Sequence, residues 1–242
     1  MTGYQHRRHI HDPHFTKDVF NKVGRTYDLV NLVSSFGLAS LLRKQMIKRL
    51  SAGMRPTRTL DLLCGMGETW KPILKYAPET QITAVDFSDE MIAGAKRRNA
   101  RNYNYRVDII EENVLDSGLK DDSFDLVVCA FGLKSFDEEQ IEILAKLTNR
   151  VLKPGGQLVF IEMSLPKNVL VRTIFLWHVR YLVPFLGSFS GNRKAFGMLA
   201  KYTVSYRNSI NALSRFSQQG FQLQYDSYIL GSATGFHGRK PM

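Results

Sequence analysis

Asp61, Gly65 and Gly67 stand in the run Leu60-Asp61-Leu62-Leu63-Cys64-Gly65-Met66-Gly67-Glu68, where an apolar stretch holding an acid passes straight into a glycine turn. A second apolar run, Gln81-Ile82-Thr83-Ala84-Val85, closes on another acid, Asp86. A glycine turn after a strand lets backbone approach a ligand with no Cβ in the way, and an acid at the neighbouring strand tip can accept both hydroxyl protons of a ribose. That is nucleoside-binding chemistry. The dinucleotide fingerprint G-x-G-x-x-G needs a third glycine and a docked phosphate, whereas here Gly65 and Gly67 are followed by Glu68. An acid at that place repels a phosphate and suits a cationic or zwitterionic ligand. S-adenosylmethionine, a ribosyl adenine with a sulfonium and an amino acid, meets that demand.

Such residues work together only if several strands end on one side of a sheet. Apolar runs and turn signals predict strands over residues 59–63, 81–85, 105–111, 124–129 and 157–162, with helices over 70–76, 88–99 and 138–151 between them. Parallel strands need crossover helices, so this alternation predicts an α/β fold: a doubly wound, mostly parallel sheet, Rossmann-like in plan. Ser88 before Asp89-Glu90 is an N-cap signal, and Pro154-Gly155-Gly156 ends a helix and turns into a strand. From Thr16 to Arg49 apolar positions recur at helical spacing, with a break at Ser34-Ser35-Phe36-Gly37. After Pro166 a helical lid is expected over about 167–208, then a helix over 210–218. Strands over 221–229 and 232–237, joined through Leu230-Gly231, complete a seven-stranded sheet with an antiparallel edge. The expected organisation is a flexible His/Arg-rich tail, 1–15, followed by one domain, 16–242.

The 242 residues, 44% hydrophobic, suffice for a sizeable core. Only Cys64 and Cys129 are present, so no disulfide framework is expected, and a reducing cytoplasm is the simplest setting. The N-terminal residues lack the apolar core of a signal peptide. His6, His9, His11 and His14 are read as part of the tail, and no metal site is expected. The net charge of +11 fits a scattered basic surface or affinity for anionic lipid; nucleic acid is not expected, because no recognition helix or aromatic-basic interleaving is evident. The most apolar segment, 169–189, carries Arg172, His178, Arg180 and Pro184, so it is expected to cover the protein and not to span a membrane.

The order of motifs resembles the class I S-adenosylmethionine-dependent methyltransferases, and within them the UbiE-type ubiquinone/menaquinone biosynthesis C-methyltransferases. The resemblance runs through Tyr27-Asp28-Leu29-Val30-Asn31, Ser35-Phe36-Gly37, the Asp61–Gly67 turn, Asp86, Asn113-Val114, Ser123-Phe124-Asp125 and Phe131-Gly132-Leu133-Lys134-Ser135. It continues in Arg150-Val151-Leu152-Lys153-Pro154-Gly155-Gly156, Glu162-Met163-Ser164-Leu165-Pro166 and Gly235-Phe236-His237-Gly238-Arg239-Lys240-Pro241. It implies S-adenosyl-L-methionine as cofactor, with S-adenosylhomocysteine as product. By the same resemblance Asp61, Cys64, Gly65, Met66 and Gly67 shape the methionine pocket, while Asp86 holds the ribose. Phe87 and Met91 pack near the adenine, Asn113-Val114 read its edge, and Ala130 lies beside the sulfonium. A homodimer is also implied. The chain departs from the family at Leu63 and Met66, which suggest a narrower or differently packed pocket, at Lys134, where the quinone enzymes carry arginine, and at Phe196-Gly197-Met198-Leu199 in the lid.

Methyl transfer from a sulfonium is an in-line displacement that rewards alignment in a dry pocket. For a ring-carbon acceptor, removing the adjacent hydroxyl proton raises the electron density at the carbon. Lys134, Tyr27, Glu162 and His178 are the candidates to stabilise the phenolate or take that proton, although Tyr27 equally fits helix packing and His178 an ordinary helix position. Phe175, Trp177, Tyr181, Phe185 and Phe189 are expected in the core or in the wall of a pocket for a flat, hydrophobic substrate. Arg172, Arg180, Arg193 and Lys194 suggest peripheral contact with an anionic membrane. The leading expectation is C-methylation of an aromatic, quinone-like or polyketide-like small molecule. N- or O-methylation of a lipid headgroup or specialised metabolite stays open, as does a non-methylating cyclase that binds the cofactor.

Overall fold

The computed structural model describes residues 10–24, 37–51, 55–189 and 191–242. Five strands lie parallel in it: β1 (Arg58–Leu62), β2 (Gln81–Asp86), β3 (Val107–Glu111), β4 (Phe124–Ala130) and β5 (Leu152–Met163). With β6 (Gln222–Tyr228) and β7 (Ala233–Arg239) they form a seven-stranded sheet in the order β3-β2-β1-β4-β5-β7-β6. The chain order reverses between β1 and β4, and in open α/β sheets that crevice is where ligands bind. Crossovers are made by α3 (Trp70–Tyr76), α4 (Asp89–Tyr103) and α5 (Glu138–Val151); α1 (Pro13–Gly24) and α2 (Leu38–Ile47) precede the sheet.

Side-chain alternation along the strands separates two cores. Val127 and Cys129 of β4 and Leu158 and Phe160 of β5 pack under α5, joined by Phe216 of α9 (Ile210–Ser217). Leu126, Val128, Val159 and Ile161 face the other way, toward Met46, Trp70, Ile73 and Ala95. Local signals set the helix starts. Ser88 accepts from Met91 N–H at the head of α4, and Asp137 and Gln140 form a reciprocal capping box on α5.

The last two strands pair with each other as expected, with β7 between β5 and β6, antiparallel to both, and β6 at the edge; two other expectations are corrected by the fold. The two strands are joined by a short helical turn, Ile229–Gly231, whose residues all have positive φ, and not by a two-residue hairpin turn. Residues 10–15 are not a loose tail. Ile10 and His11 are buried, Tyr202 donates its hydroxyl to the Ile10 carbonyl at 2.8 Å, and Gln140 donates to the His11 carbonyl at 3.0 Å.

The segment after β5 forms α6 (Val169–Trp177), a π-helical turn (His178–Leu182), α7 (Val183–Ser188) and α8 (Arg193–Tyr206). Val183 and Leu186 join Phe196 and Tyr202 of α8 in a third cluster with Ile10, Val19 and Val23. The lid aromatics expected inside lie outside. Trp177, Tyr181, Phe185 and Phe189 are all exposed, because only the opposite face of this stretch meets α1 and α8.

Glycine is required where β7 threads the sheet. A Cβ on Gly235 would sit 2.0 Å from the Phe160 carbonyl oxygen, a contact between two backbones that neither strand can relieve by a rotamer change. Gly235→Ala is therefore expected to cost about 3 kcal/mol, a fall of roughly 10 °C in melting temperature by calorimetry. Unchanged melting would contradict the close β5–β7 register.

Candidate cofactor site

At the carboxyl ends of β1, β2 and β4 a cleft opens to solvent. Clefts at this place in open α/β sheets are where ligands bind. Its wall includes Cys64, Gly65, Asp86, Phe87, Met91, Asn113, Val114 and Ala130, so eight of the expected cofactor residues come together there. Asp61 lies beneath the turn, fully buried but off the cavity wall. Met66 and Gly67 support the turn from behind. Met66 packs against Gly94, where a Cβ would come 2.7 Å from its Cγ, and Gly67 lies over the Trp70 ring. Of the two departing residues only Leu63 lines the cavity; it has a left-handed backbone, φ 56°, and occupies space that Gly132 leaves by lacking a Cβ.

Hydrogen bonds tie the turn to the next strand. Gly65 N–H donates to Asp86 Oδ2 at 2.9 Å, and Ser88 N–H donates to Oδ1 at 3.0 Å. Each carboxylate oxygen keeps acceptor capacity for a hydroxyl. Burial raises the Asp86 carboxyl above its ordinary range, opposed by the backbone N–H groups of Ser88, Gly65 and Phe87. Asn113 turns its side-chain oxygen to Leu115 N–H, which fixes the loop after β3 at the cavity edge.

The site also holds polar groups without partners. Both carboxylate oxygens of Asp61, Oε1 of Glu68 and Nε of Arg43 are buried and have no hydrogen-bond partner among the described residues. Buried polar atoms are ordinarily satisfied, so Arg43 and Glu68 on the cavity wall, with Asp61 beneath the turn, mark the place of a polar ligand. Two carboxylates suit an ammonium, and a guanidinium suits a carboxylate. Burial pushes the Asp61 carboxyl up to about 8; Arg43 opposes this, Glu68 adds to it, the Trp70 indole opposes it and Asp86 adds a further small rise.

Arg43 and His11 are site residues that no motif announced. Arg43 comes from α2, with its guanidinium 4.9 Å from the centre of the Phe131 ring. His11 lines the cavity from the N-terminal side together with Thr16 and Phe20 of α1. Its Nδ1 lies 2.9 Å from the Ser135 carbonyl oxygen, which can only accept. Nδ1 therefore carries the proton, and the lone pair of the neutral ring is on Nε2.

The expected catalytic residues fare differently. Tyr27 lies outside the described residues. Lys134 and Glu162 are buried in contact with each other and do not line the cavity. Lys134 Nζ donates to Glu162 Oε1 at 2.8 Å and to the Phe131 carbonyl at 2.7 Å; Lys134 N–H donates to Oε2 at 3.0 Å, and Met163 N–H to Oε1 at 2.7 Å. The pair thus clamps the loop after β4 onto β5, holding Phe131 at φ 69° over the cavity. His178 sits in the π-helical turn of the lid, away from the cavity wall.

The raised Asp61 has a consequence for the ligand-free protein. A carboxyl that holds its proton to about pH 8 in the fold and to about pH 4 when unfolded makes the folded state bind more protons between those values, so stability falls as pH rises through that window. Asp61→Asn should remove this decline, read as melting temperature against pH. A decline as steep in the variant as in the wild type would contradict the assignment.

Comparison with known proteins agrees with this geometry. The model of the ubiE/COQ5 methyltransferase family matches residues 7–240. A demethylmenaquinone methyltransferase of Listeria monocytogenes serotype 4a (strain HCC23) is 31% identical over 227 residues, 92% of this chain and 94% of that protein. One of Staphylococcus aureus (strain JH9) is 28% identical over 206 residues, 84% and 83% of the respective chains. Among solved structures, a SAM-dependent methyltransferase of Thermotoga maritima superposes with a TM-score of 0.61 at 20% identity, covering 92% of this chain and 99% of that one. Human N-acetylserotonin methyltransferase in complex with SAM gives 0.62 at 18% identity, covering 88% and 55%. These structures share the fold, and the sequence matches carry the family: this chain belongs to the ubiE/COQ5 methyltransferase family and is an S-adenosyl-L-methionine-dependent methyltransferase.

Proposed function

We propose that the enzyme methylates a ring carbon of a hydrophobic, quinone-like aromatic acceptor. The observation that carries this reading is the two-ended lining of the cavity. On the β2–β3 side stand Asp86, Phe87, Met91, Asn113 and Val114, suited to a ribose and a flat base; on the β4 and N-terminal side stand Phe20, Phe131, Phe136 and His11, suited to a flat apolar ring with one titratable contact. The relatives named demethylmenaquinone methyltransferases support an acceptor of that class. Such an acceptor partitions into lipid, so the enzyme must reach it at a membrane surface.

In this reading Glu68, backed by Asp61 beneath the turn, takes the amino group of S-adenosylmethionine, Arg43 takes its carboxylate, Asp86 the ribose hydroxyls, and the Asn113-Val114 loop the adenine edge. The cofactor supplies an electrophilic methyl group. The protein supplies alignment and exclusion of water, with Cys64 and Gly65 on one side and Ala130 and Phe131 on the other. The acceptor's hydroxyl proton passes to Nε2 of His11, a role that the buried Lys134–Glu162 pair cannot fill from beneath the loop.

Incubating the enzyme with methyl-labelled S-adenosylmethionine and a reduced naphthoquinol lacking its ring methyl should place label on a stable ring carbon. Label on oxygen or nitrogen would favour the other methyl acceptors, and conversion without label a cyclase. His11→Gln should lower kcat on the order of 100-fold while cofactor affinity changes little. An unaltered kcat would remove His11 from the chemistry.

A further inference from the structure

The stretch Val169–Ser188 is helical throughout its 20 residues, with a mean hydropathy of 1.4 over an 18-residue window of which only 6% is buried. Leu170, Ile174, Trp177, Tyr181, Phe185 and Phe189 recur at intervals of three or four residues, which places them along one side of the helix. Their exposures run from 57% at Phe185 to 79% at Phe189. Scattered exposed apolar residues need no explanation, but a continuous row of large ones marks a contact surface. The other side is already engaged. Val183 and Leu186 pack into the cluster with α1 and α8, and Gly187 sits so close to Phe196 that a Cβ there would come within 2.4 Å of its ring.

Charge identifies what the row meets. Between Glu162 and Asp226 the sequence contains no aspartate or glutamate, while Lys167, Arg172, Arg180, Arg193 and Lys194 are exposed on and beside the helix. We propose that this face is a docking surface for an anionic lipid bilayer, with the apolar row sunk into the headgroup boundary and the basic residues on the phosphates. Apolar area and electrostatic attraction together make an interfacial helix, and Trp and Tyr favour that depth. A second copy of the chain is a poorer occupant, since it would set one wholly basic segment against another. Insertion across the bilayer would bury Arg172 and Arg180 and strip Val183 and Leu186 from their cluster. The surface takes its purpose from the proposed hydrophobic acceptor, which dissolves in the membrane on which the enzyme would rest.

The protein carries a built-in probe. It has two tryptophans: Trp70, fully buried beneath the sheet, and Trp177, 59% exposed in the apolar row. Adding phosphatidylglycerol vesicles without acceptor should shift the Trp177 emission to the blue, and lipids brominated in their chains should quench it. Pure phosphatidylcholine should do much less, and raising salt from about 0.1 to about 1 M should weaken binding, because the screening length falls from about 10 to about 3 Å. Ile174→Glu with Phe185→Glu should reduce partitioning at least tenfold and leave S-adenosylmethionine binding unchanged. The proposal is overturned if the emission does not respond to anionic vesicles, if the double variant binds them as well as the wild type, or if the row proves to hold a dimer that the variant dissociates. Extraction by detergent alone, and not by salt or alkali, would show a span and overturn it as well. No acceptor is present in this assay, and the labelling assay can be run in detergent without a bilayer, so failure of either reading is seen separately.

Discussion

Carboxyl groups buried at neighbouring strand tips are the constraint around which this molecule is arranged. Asp61 and Asp86 belong to adjacent parallel strands, and Glu68 joins them from the turn between. Isolated carboxylates in such surroundings are costly, and burial raises both aspartates. Asp86 is relieved by the N–H groups of Gly65 and Ser88, which is why the turn after β1 must lie against the tip of β2. The rise at Asp61 is opposed only by the Arg43 guanidinium and the Trp70 indole, and burial still prevails. A fold that keeps an unsatisfied acid beside an arginine is held ready for a ligand bearing both a positive and a negative group, and the methionine part of S-adenosylmethionine is such a ligand.

The remaining elements hold that arrangement in place and close it. The Lys134–Glu162 pair fixes the loop after β4, so that Ala130 and Phe131 face the cavity. Because both partners are buried and further bonded to backbone, removing one would leave an uncompensated charge; that accounts for two charged residues in the interior that never touch the cavity. The N-terminal helix closes the opposite side. Asn21 of α1 accepts from the Ser88 hydroxyl at 2.7 Å and donates to Asp89 at 2.8 Å, so the helix that brings Thr16 and Phe20 to the cavity is locked to the strand tip that carries Asp86. The lid then rests on α1 by its inner side, and its outer row of apolar residues stays exposed.

Much of this was legible in the sequence where the signal is local. Strands ending in Asp61 and Asp86 announce themselves by apolar runs, and Ser88-Asp89-Glu90 and Asp137 by capping chemistry. What escaped depends on contacts distant in sequence. His11 reads as one of several histidines in a basic tail until Ser135, Gln140 and Tyr202 are seen to bury it. Arg43 sits in an amphipathic helix with no motif around it. Lys134 and Glu162 were both visible as unusual charges, but only the register of β4 and β5 shows that they satisfy each other. The lid aromatics carry helical periodicity, which tells that one face differs from the other and not which of the two is covered.

We propose that the buried carboxyl of Asp61 is kept for the cofactor's cationic group. Titration calorimetry of S-adenosylmethionine binding at pH 7, repeated in buffers of different ionisation enthalpy, counts the protons exchanged. With the free carboxyl held up to about 8, binding must ionise it and release up to about one proton. Asp61→Asn should release none. Binding of equal strength and with no proton released in the wild type would contradict the account.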